Sequence, residues 1–410
     1  MPSTPVRLAL IGCGGMARIH LNAYGSLKQK GIQTFEITAV CDPALDRAEQ
    51  FAALAAEWGD RPTVYADLEA LLRDRPPDAV DVTTPHHLHH TTAIACLEAG
   101  AHVLIEKPLG VTIRAARRMI EAAQRTGRTL ATAEQVRRWI GPRATRWALQ
   151  EAGLIGAPRL FFAQNSGGDR HAHPDERRSP LPFTWRQDKL TGGGGFIFDG
   201  GVHYADVLLY FFGDVETVYA FVGDVNAWEW PLPDGGTRRI SVEDTCVAHL
   251  TFADGVVGTW TWTGAAPGRG INYTVYHGSH GSVYSEGIYP THPELQWWNG
   301  EVVPYEELIR RFLASLGAEE RECLFPAALF PDPASLSGDH GVELEVYDFL
   351  EAVRTGRPPE LDGFAGLRAQ AVVTAFFESH ISGQPVRVAD VLAGRVDAYQ
   401  REIDAAWGLR

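Results

Sequence analysis

The chain has little positive charge: 37 lysine and arginine residues stand against 51 aspartate and glutamate residues, for a formal net charge of −14. Because nucleic acids and anionic membrane surfaces are bound through basic patches, this balance argues against both kinds of partner. No uninterrupted apolar run reaches the roughly 18 residues that a membrane-spanning helix requires. No basic segment followed by a long apolar stretch indicates a signal peptide. The sequence therefore predicts a cytoplasmic protein.

Cysteine and N-terminal tryptophan are also scarce. The five cysteines are scattered and never spaced as Cys-x-x-Cys, which argues against a disulfide framework or a zinc ribbon and predicts buried free thiols. Of the 11 tryptophans, only Trp58 precedes residue 135. Since 410 residues exceed one ordinary domain, we expect two domains of different composition, 1–134 and 135–410.

A glycine-rich turn follows the first apolar run, Val6–Ile11, and leads into a helical pattern. The order of strand, G-x-G-x-x-A and helix is the context that a dinucleotide-binding fingerprint requires. The first glycine allows the tight turn, the second lets a pyrophosphate approach, and the small alanine allows close helix–strand packing. The predicted cofactor-binding residues of this turn are Gly12, Gly14, Gly15, Met16 and Ala17.

An acidic residue, Asp42, ends the second predicted strand, Phe35–Cys41. An acid at this position binds the ribose hydroxyls of NAD and repels the 2′-phosphate of NADP, so the sequence favours NAD. Arg18 and Arg47 lie close enough in sequence to complicate this choice of cofactor. The alternative for Asp42 is a turn residue before Pro43.

Strands and helices alternate from Val6 to Ala133, which predicts a parallel, doubly wound sheet. Ligands bind at the carboxyl ends of such strands, where the chain has Thr84-Pro85 and Glu106-Lys107-Pro108. We therefore expect further cofactor contacts from Thr84, Pro85, His89, Glu106 and Lys107. The histidines at 86, 87, 89 and 90 suggest a metal, but no acidic or thiol partner lies nearby, so we predict no metal site.

Lys107 is the first candidate for the acid–base group, since oxidation of an alcohol removes a hydroxyl proton as hydride leaves the carbon. Asp199 and His203 are four residues apart in an apolar stretch, a spacing that brings two side chains to one helix face. His203 is the second acid–base candidate, and Asp199 is expected to contact substrate or steady the charges. Which of Lys107 and His203 takes the proton stays open. Asp206 repeats the spacing but is interpreted mainly as helix stabilisation.

The segment from 165 to 190 is polar and rich in glycine, proline and arginine, which is typical of a binding loop or lid. Because they precede the glycines at 192–195, Trp185 and Arg186 are predicted to bind substrate by stacking and by contacts to hydroxyl groups. Weaker candidates, with a solvated loop at least as well supported, are Asp169, Arg170, His171 and His173.

The second half reads as short strands, with Asp254-Gly255 as a hairpin signal, so we expect a large, mainly antiparallel open sheet with helices. Trp260 and Trp262 alternate with smaller residues and share one face; packing or a subunit interface is favoured over sugar stacking. The uncovered face of such a sheet predicts a homodimer or homotetramer.

Several of these motifs together resemble the glucose–fructose oxidoreductase, inositol dehydrogenase and rhizopine-catabolism (Gfo/Idh/MocA) family. They are the glycine turn, Thr84-Pro85 with His89, residues 99–108 ending in Glu106-Lys107-Pro108, Asp199-Gly200-Gly201-Val202-His203, and residues 276–282. His86 departs from the asparagine more usual there. The resemblance spans almost the whole chain and implies a Rossmann domain, a second α/β domain and NAD(P)-dependent chemistry at a sugar or cyclitol carbon.

Three functions follow as hypotheses. The first is an NAD-dependent dehydrogenase acting on a secondary alcohol of a sugar, sugar derivative or cyclitol. The second keeps the site but reduces and reoxidises a tightly held NAD within one turnover, giving isomerisation or glycoside cleavage. The third, a non-catalytic NAD-dependent sensor, is disfavoured because Lys107, Asp199 and His203 are all present. The sequence does not name the sugar, the carbon or the direction of reaction.

Overall fold

Strands and helices alternate through the first third of the chain. The computed structural model describes residues 4–167, 184–227, 229–232, 236–336 and 340–409. The first strands are β1 (Val6–Ile11), β2 (Phe35–Cys41), β3 (Thr63–Tyr65), β4 (Ala79–Val82), β5 (His102–Glu106) and β6 (Leu130–Ala133). The helices between them are α1 (Gly15–Gln29), α2 (Leu45–Glu57), α3 (Leu68–Asp74), α4 (His89–Glu98) and α5 (Ile113–Thr126).

These strands form one parallel sheet in the order β3-β2-β1-β4-β5-β6. Their continuous apolar sequences are covered on both faces, as parallel strands require, and Leu8, Ile37, Val80 and Val103 are fully buried. The order reverses beside β1, between β1 and β4, and this is the point at which such sheets bind ligands. The prediction of a parallel, doubly wound sheet is confirmed.

The rest of the chain is richer in strands. The strands are β7 (Pro158–Ser166), β8 (Val215–Gly223), β9 (Glu229–Pro231), β10 (Thr237–Arg239), β11 (Thr245–Phe252), β12 (Val257–Thr263), β13 (Ile271–Gly278), β14 (Gly281–Glu286), β15 (Glu294–Trp297), β16 (Val302–Val303) and β17 (Val386–Arg387). The helices are α6 (Ile140–Arg146), α7 (Lys189–Gly192), α8 (Phe196–Asp199), α9 (Gly201–Phe212), α10 (Tyr305–Ser315), α11 (Ala318–Leu324), α12 (His340–Thr355), α13 (Gly363–Ser382), α14 (Val388–Leu392) and α15 (Arg401–Ala406).

Most of these strands join a second sheet, in the order β16-β15-β14-β13-β7-β12-β11-β8-β17. Its strand pairs are antiparallel except at the centre, where β7 and β12 run parallel. The predicted hairpin joins β11 to β12 at Asp254-Gly255, where Gly255 has a φ of +89°. A large, mainly antiparallel sheet is thus confirmed.

Aromatic side chains fill the helix-covered face of the second sheet. Trp260 on β12 is fully buried, with its ring 4.9 Å from that of Tyr204 on α9 and 5.3 Å from that of Phe376 on α13. Trp262, two residues along the strand, stacks on Phe196 at 4.4 Å. Packing is therefore the role of the predicted tryptophan pair.

The chain forms two compact units, and the boundary near residue 134 stays a prediction. The first unit holds residues up to Arg138 together with Glu322–Asp332 and residues 340–367, so that α12 packs against α1 within it. The second unit holds most of the remaining chain, including the nine-stranded sheet. The sequence-based prediction had assigned all of residues 135–410 to the second domain.

The cysteines differ in one respect from the expectation of buried thiols. All five are free, but Cys323 is exposed because α11 contributes no buried residue to the core. Among the described residues, no helix is both long enough and apolar enough to cross a membrane.

We predict that Trp260→Ala lowers the free energy of unfolding by about 3–5 kcal/mol, because it leaves a cavity where a large, fully buried side chain packs. Urea denaturation followed by circular dichroism measures the change. Trp298→Ala is the control, since that side chain is 82% exposed, and it should change stability by less than about 0.5 kcal/mol. Equal losses for the two variants would contradict the packing role of Trp260.

Candidate functional site: a dinucleotide turn and a polar cluster

The glycine-rich turn after β1 leaves open space at the beginning of α1. Gly12 has a φ of +91°, and a Cβ there would lie 3.0 Å from the carbonyl of Thr83, so only glycine fits. A Cβ on Gly14 or Gly15 would meet no atom of the described residues within 4 Å. Gly14 caps α1 without a side-chain hydrogen bond, and no acidic side chain lies in the first turn.

Asp42 braces this turn from the end of β2. Its carboxylate is buried, and its two oxygens accept the backbone N–H groups of Cys13 and Ala44, each at 2.8 Å. The carboxylate thereby joins the glycine turn to the turn that follows β2. A carboxylate has further lone pairs on each oxygen, so these bonds leave the predicted ribose contact open.

These residues fit a dinucleotide. The backbone N–H groups at the beginning of a 15-residue helix favour an anion through both hydrogen bonding and the helix dipole. The space beside Gly14 and Gly15 leaves room for a pyrophosphate, and Asp42 lies at the strand end where a ribose would be read. Contacts of Met16 and Ala17 with the cofactor stay predictions.

The ends of β4 and β5 are joined by a buried histidine. His89 is fully buried, with Nδ1 3.0 Å from the carbonyl oxygen of Pro108 and Nε2 2.9 Å from that of Thr84. Burial lowers the pKa of His89, while the contacts with the carbonyl groups of Thr84 and Pro108 oppose the fall. Between these strand ends, Glu106 is buried, Lys107 is half-buried, and the Lys107–Pro108 peptide bond is cis. His89 therefore holds the backbone beside Lys107, and a direct contact with cofactor stays a prediction for it, as for Thr84, Pro85, Glu106 and Lys107.

Within the described ranges, no group of three or more histidine, cysteine, aspartate or glutamate side chains is arranged to hold a metal ion. Three members of the histidine run are buried instead, with exposures of 3% for His86, 0% for His89 and 4% for His90.

Three residues predicted from the sequence meet in the second unit. The guanidinium of Arg186 lies 4.1 Å from the centre of the Trp185 ring, and its Nε donates to Oδ2 of Asp199 at 3.0 Å. Thr184 and Gln187 form a capping box around this short helical turn. Arg186 is exposed, whereas Trp185 and Asp199 are half-buried. The result is a cation flanked by a flat ring and a carboxylate, a surface suited to a polyhydroxylated ring.

His203 lies one helical turn beyond Asp199. Gly200 between α8 and α9 has helical dihedral angles, φ −88° and ψ −31°, so the two residues are separated by about 6 Å along the axis. The imidazole is buried and meets the ring of Tyr289 edge-on at 6.0 Å, while the Tyr289 hydroxyl donates to the carbonyl of Gly200 at 3.0 Å. Tyr289 was not predicted, since it lies in an irregular connection without a recognisable motif.

Glu243 is a second residue that sequence reasoning missed. Its fully buried carboxyl accepts the backbone N–H of Gly195 at 2.6 Å and that of Ile197 at 2.8 Å, and so caps α8, the helix that ends with Asp199. Burial raises the pKa of Glu243 to about 7, although the backbone N–H groups oppose the rise. Nothing in the sequence around Glu243 indicates this contact with the glycine run.

The described residues include all the predicted cofactor-binding, catalytic and substrate-binding residues except the weaker loop candidates, with Lys107 in the first unit and Asp199 and His203 in the second. Asp206 on α9 is buried. The weaker loop candidates Asp169, Arg170, His171 and His173 lie outside the described residues. The functional roles of all these residues stay predictions.

A parallel sheet with a glycine-rich turn, a strand-end acid and a helix that begins without a side-chain cap is the architecture of a dinucleotide-binding Rossmann domain. Comparison with known families agrees: a model described as "Oxidoreductase family, NAD-binding Rossmann fold" matches residues 6–134, and one described as "GFO/IDH/MocA C-terminal domain" matches residues 144–284. The chain belongs to the Gfo/Idh/MocA oxidoreductase family, as the motifs indicated.

Named relatives include two curated dehydrogenases. A levoglucosan dehydrogenase of Pseudarthrobacter phenanthrenivorans is 29% identical over 385 residues, which cover 88% of this chain and 93% of the relative. The D-glucoside 3-dehydrogenase of Escherichia coli is 32% identical over 62% of this chain and 69% of the relative. The crystal structure of an oxidoreductase domain protein from Kribbella flavida matches with a TM-score of 0.76 and 27% identity, over 94% of this chain and 99% of that one.

We predict that Glu243 makes the stability of the protein depend on pH. The pKa of Glu243 in the folded protein is about 7, which exceeds the ordinary value of 4.5. Between these two pH values the folded protein keeps the proton on Glu243, whereas the unfolded chain has lost it. The stability contributed by the protonated group is therefore complete below about pH 4.5 and falls by roughly 3 kcal/mol as pH rises through 7.

Urea denaturation of the protein and of Glu243→Gln between pH 5 and 8 measures this effect. The free energy of unfolding of the unsubstituted protein, relative to that of the variant, should fall as pH rises. Glu216→Gln, at an exposed position of β8, is the control and should run parallel to the unsubstituted protein. Parallel curves for Glu243→Gln as well would rule out the predicted titration.

Proposed function

We propose that the protein is an NAD-dependent dehydrogenase that transfers a hydride between a secondary alcohol, or the corresponding keto group, of a sugar, sugar derivative or cyclitol and nicotinamide. The observation that supports this most is the joint presence of two partial sites in one chain. One is the dinucleotide turn with Lys107 at the end of β5. The other is the Trp185–Arg186–Asp199 cluster, with His203 one turn further along.

The chemistry requires a proton acceptor and groups that orient hydroxyls. When bound, NAD⁺ supplies the hydride acceptor. Lys107 and His203 are the proposed acid–base groups, which hold the reacting hydroxyl and take or return its proton. Asp199 anchors Arg186 and accepts hydrogen bonds from substrate hydroxyls, while Trp185 stacks on the sugar ring. The variants below test whether each of the two groups takes part in the reaction.

The names of the relatives support a sugar or cyclitol as substrate. Levoglucosan, D-glucosides and inositol are the substrates named for relatives at 29%, 32% and 35% identity. All three are rings bearing secondary alcohols, and this shared chemistry is what we carry over to the present chain. A neutral polyol also suits a protein of net charge −14, because binding then requires no strongly basic surface.

NAD is proposed over NADP because of Asp42. Its carboxylate is held in place by two backbone N–H groups, and a fixed negative charge there would repel a 2′-phosphate. The guanidinium of Arg18 lies 4.9 Å from the centre of the Phe51 ring, and Arg18 and Arg47 both place positive charge near Cys13 of the glycine turn, so the cofactor assay below tests this choice. We also propose a cytoplasmic location, supported by the free thiols.

We predict that the protein reduces NAD⁺ in the presence of a member of a panel of sugars, 1,6-anhydrosugars, glycosides and inositols, and that NADP⁺ is a poorer cofactor. Absorbance of the reduced cofactor at 340 nm measures the turnover. Lys107→Ala and His203→Ala should each lower kcat by at least about 100-fold, since each removes a proton-transfer group. Both variants should still bind NADH, as measured by fluorescence titration. The affinity should be nearly unchanged in His203→Ala and modestly lower in Lys107→Ala, which also loses a predicted cofactor contact.

Lys30→Ala and His280→Ala are matched controls, because Lys30 pairs with Glu343 and His280 is exposed in the turn between β13 and β14. Unchanged turnover in Lys107→Ala or His203→Ala would remove that residue from the mechanism. Product formed from a sugar without net reduction of added NAD⁺ would instead identify the redox-neutral reaction with tightly held cofactor.

We further propose that the open face of the second sheet binds a second copy of the chain. One row across this face, in register from β8 to β14, consists of Tyr219, His249, Thr259, Phe162, Val275 and Tyr284. Large apolar side chains are exposed along it, with 54% exposure for Tyr219, 37% for Phe162 and 41% for Tyr284. Monomeric proteins rarely expose so continuous an apolar surface.

We predict that Phe162→Glu converts a dimer or tetramer into a smaller species, because a charge at the centre of the proposed interface would be buried without a partner. Light scattering coupled to size-exclusion chromatography gives the mass. Val225→Glu, at an exposed loop position, should leave the mass unchanged. A monomeric unsubstituted protein, or an oligomer that survives Phe162→Glu, would contradict the proposed interface.

A further inference from the structure

A histidine in the first unit lies among three acidic residues, away from solvent. His20 on α1 is 1% exposed. Its Nδ1 lies 2.8 Å from Oδ2 of Asp81 on β4, and its Nε2 lies 3.2 Å from Oε1 of Glu106 on β5. Oε1 of Glu345 on α12 lies 3.6 Å from the same Nε2. None of these contacts is needed to explain the dinucleotide turn.

The geometry favours a charged ring at His20. Both ring nitrogens face carboxylate oxygens, and a neutral imidazole has only one N–H to donate. Burial alone would lower the pKa of His20, but Asp81 and Glu106 favour the imidazolium, and the pKa lies well above its ordinary value. The Tyr24 hydroxyl donates to the same Asp81 oxygen at 2.9 Å.

Glu345 differs from the other two acidic residues of this cluster in its hydrogen bonding. Its side chain is 1% exposed, and neither oxygen has a hydrogen-bond partner among the described residues. A buried carboxylate without such partners is costly, and burial raises the pKa of Glu345 well above its ordinary value. With Glu345 uncharged, the four groups together carry a single negative charge. The other charged groups that face this cluster are Glu134 after β6 and Arg138, itself paired with Asp348 and Glu360.

We propose that His20 is a positioning residue for Lys107, that it acts through the carboxylate of Glu106, and that α12 completes the arrangement with the uncharged carboxyl of Glu345. This proposal rests on the proposed function only for the acid–base role of Lys107. The charge states and their effect on Lys107 are independent of any substrate.

The connection to Lys107 is short. Glu106 is the last residue of β5, Lys107 follows it, and His89 holds the carbonyl of Pro108 at 3.0 Å. His89 thus holds the backbone after Lys107, while His20 holds the side-chain carboxylate of the residue before it. The imidazolium offsets a negative charge one residue from Lys107, and without it that charge would favour the ammonium form of the lysine.

The test follows the reactivity of Lys107 with an amine-specific anhydride as a function of pH, with the labelled peptide quantified by mass spectrometry. Only the neutral amine reacts, so the midpoint of the curve reports its proton affinity without any substrate or cofactor. His20→Gln should move this midpoint upward by roughly one pH unit. Glu106→Gln should move it downward, because it removes the negative charge and leaves the imidazolium.

Two substitutions serve as comparisons. His102→Gln, at the other end of β5, makes the same change outside the cluster and should leave the midpoint where it is. Glu345→Gln replaces an already uncharged group by a neutral one of the same shape, and it should also leave the midpoint in place. Should His20→Gln not fold, the downward shift in Glu106→Gln and the unmoved midpoint in Glu345→Gln still decide the matter.

The proposal is overturned if the labelling midpoint of Lys107 moves in the same direction in His20→Gln and Glu106→Gln, or if it moves in neither variant. A shift in Glu345→Gln equal to that in His20→Gln would show that Glu345 is charged and would overturn its assigned role. If the opposite shifts are found but no polyol is oxidised, the proposed function fails while the positioning of Lys107 holds. If a polyol is oxidised and the acid limb of its kcat/KM profile follows the labelling midpoints, both hold.

Discussion

A buried carboxylate that accepts the backbone N–H groups of a glycine-rich turn is the interaction on which both partial sites depend. In the first unit Asp42 holds Cys13 within the dinucleotide turn, and in the second Glu243 holds Gly195 and Ile197 before Asp199. Glycine gives each turn its shape but contributes no side chain to stabilise it. A carboxylate with several acceptor positions restores that rigidity from a distant part of the chain.

Much of the first unit could be predicted because its signals are local. The turn from Gly12 to Ala17, the acid at Asp42 and the alternation of strand and helix are each read within a few neighbouring residues. In the second unit, Arg186 was predicted from its position before the glycine run and Asp199 from its spacing to His203, and the structure joins them. Trp262 was predicted to pack, but its stacking on Phe196 could not be.

The residues that the sequence analysis did not predict were missed for one physical reason. Glu243, Tyr289 and Glu345 contact partners far away in sequence, so their roles arise only when packing brings distant segments together. No spacing rule marks a glutamate that will cap a short helix or lie uncharged beside a histidine. The exposure of Cys323 has the same origin, since only the fold shows that α11 contributes nothing to the core.

The late position of α12 in the sequence has a consequence for the synthesis of the protein. His20, Asp81 and Glu106 leave the ribosome early, but the helix that covers them, His340–Thr355, is made only after eight of the nine strands of the second sheet. The central strand β7 also waits, because its neighbours β12 and β13 follow much later in the chain. Until then β7 has two unpaired edges and the acidic cluster lacks one wall, so contacts of long sequence separation govern the pace of folding. A chain interrupted before residue 340 would expose the His20 ring and its carboxyl partners to water. The synthesis of α12 is therefore the step that completes the nucleotide-binding unit.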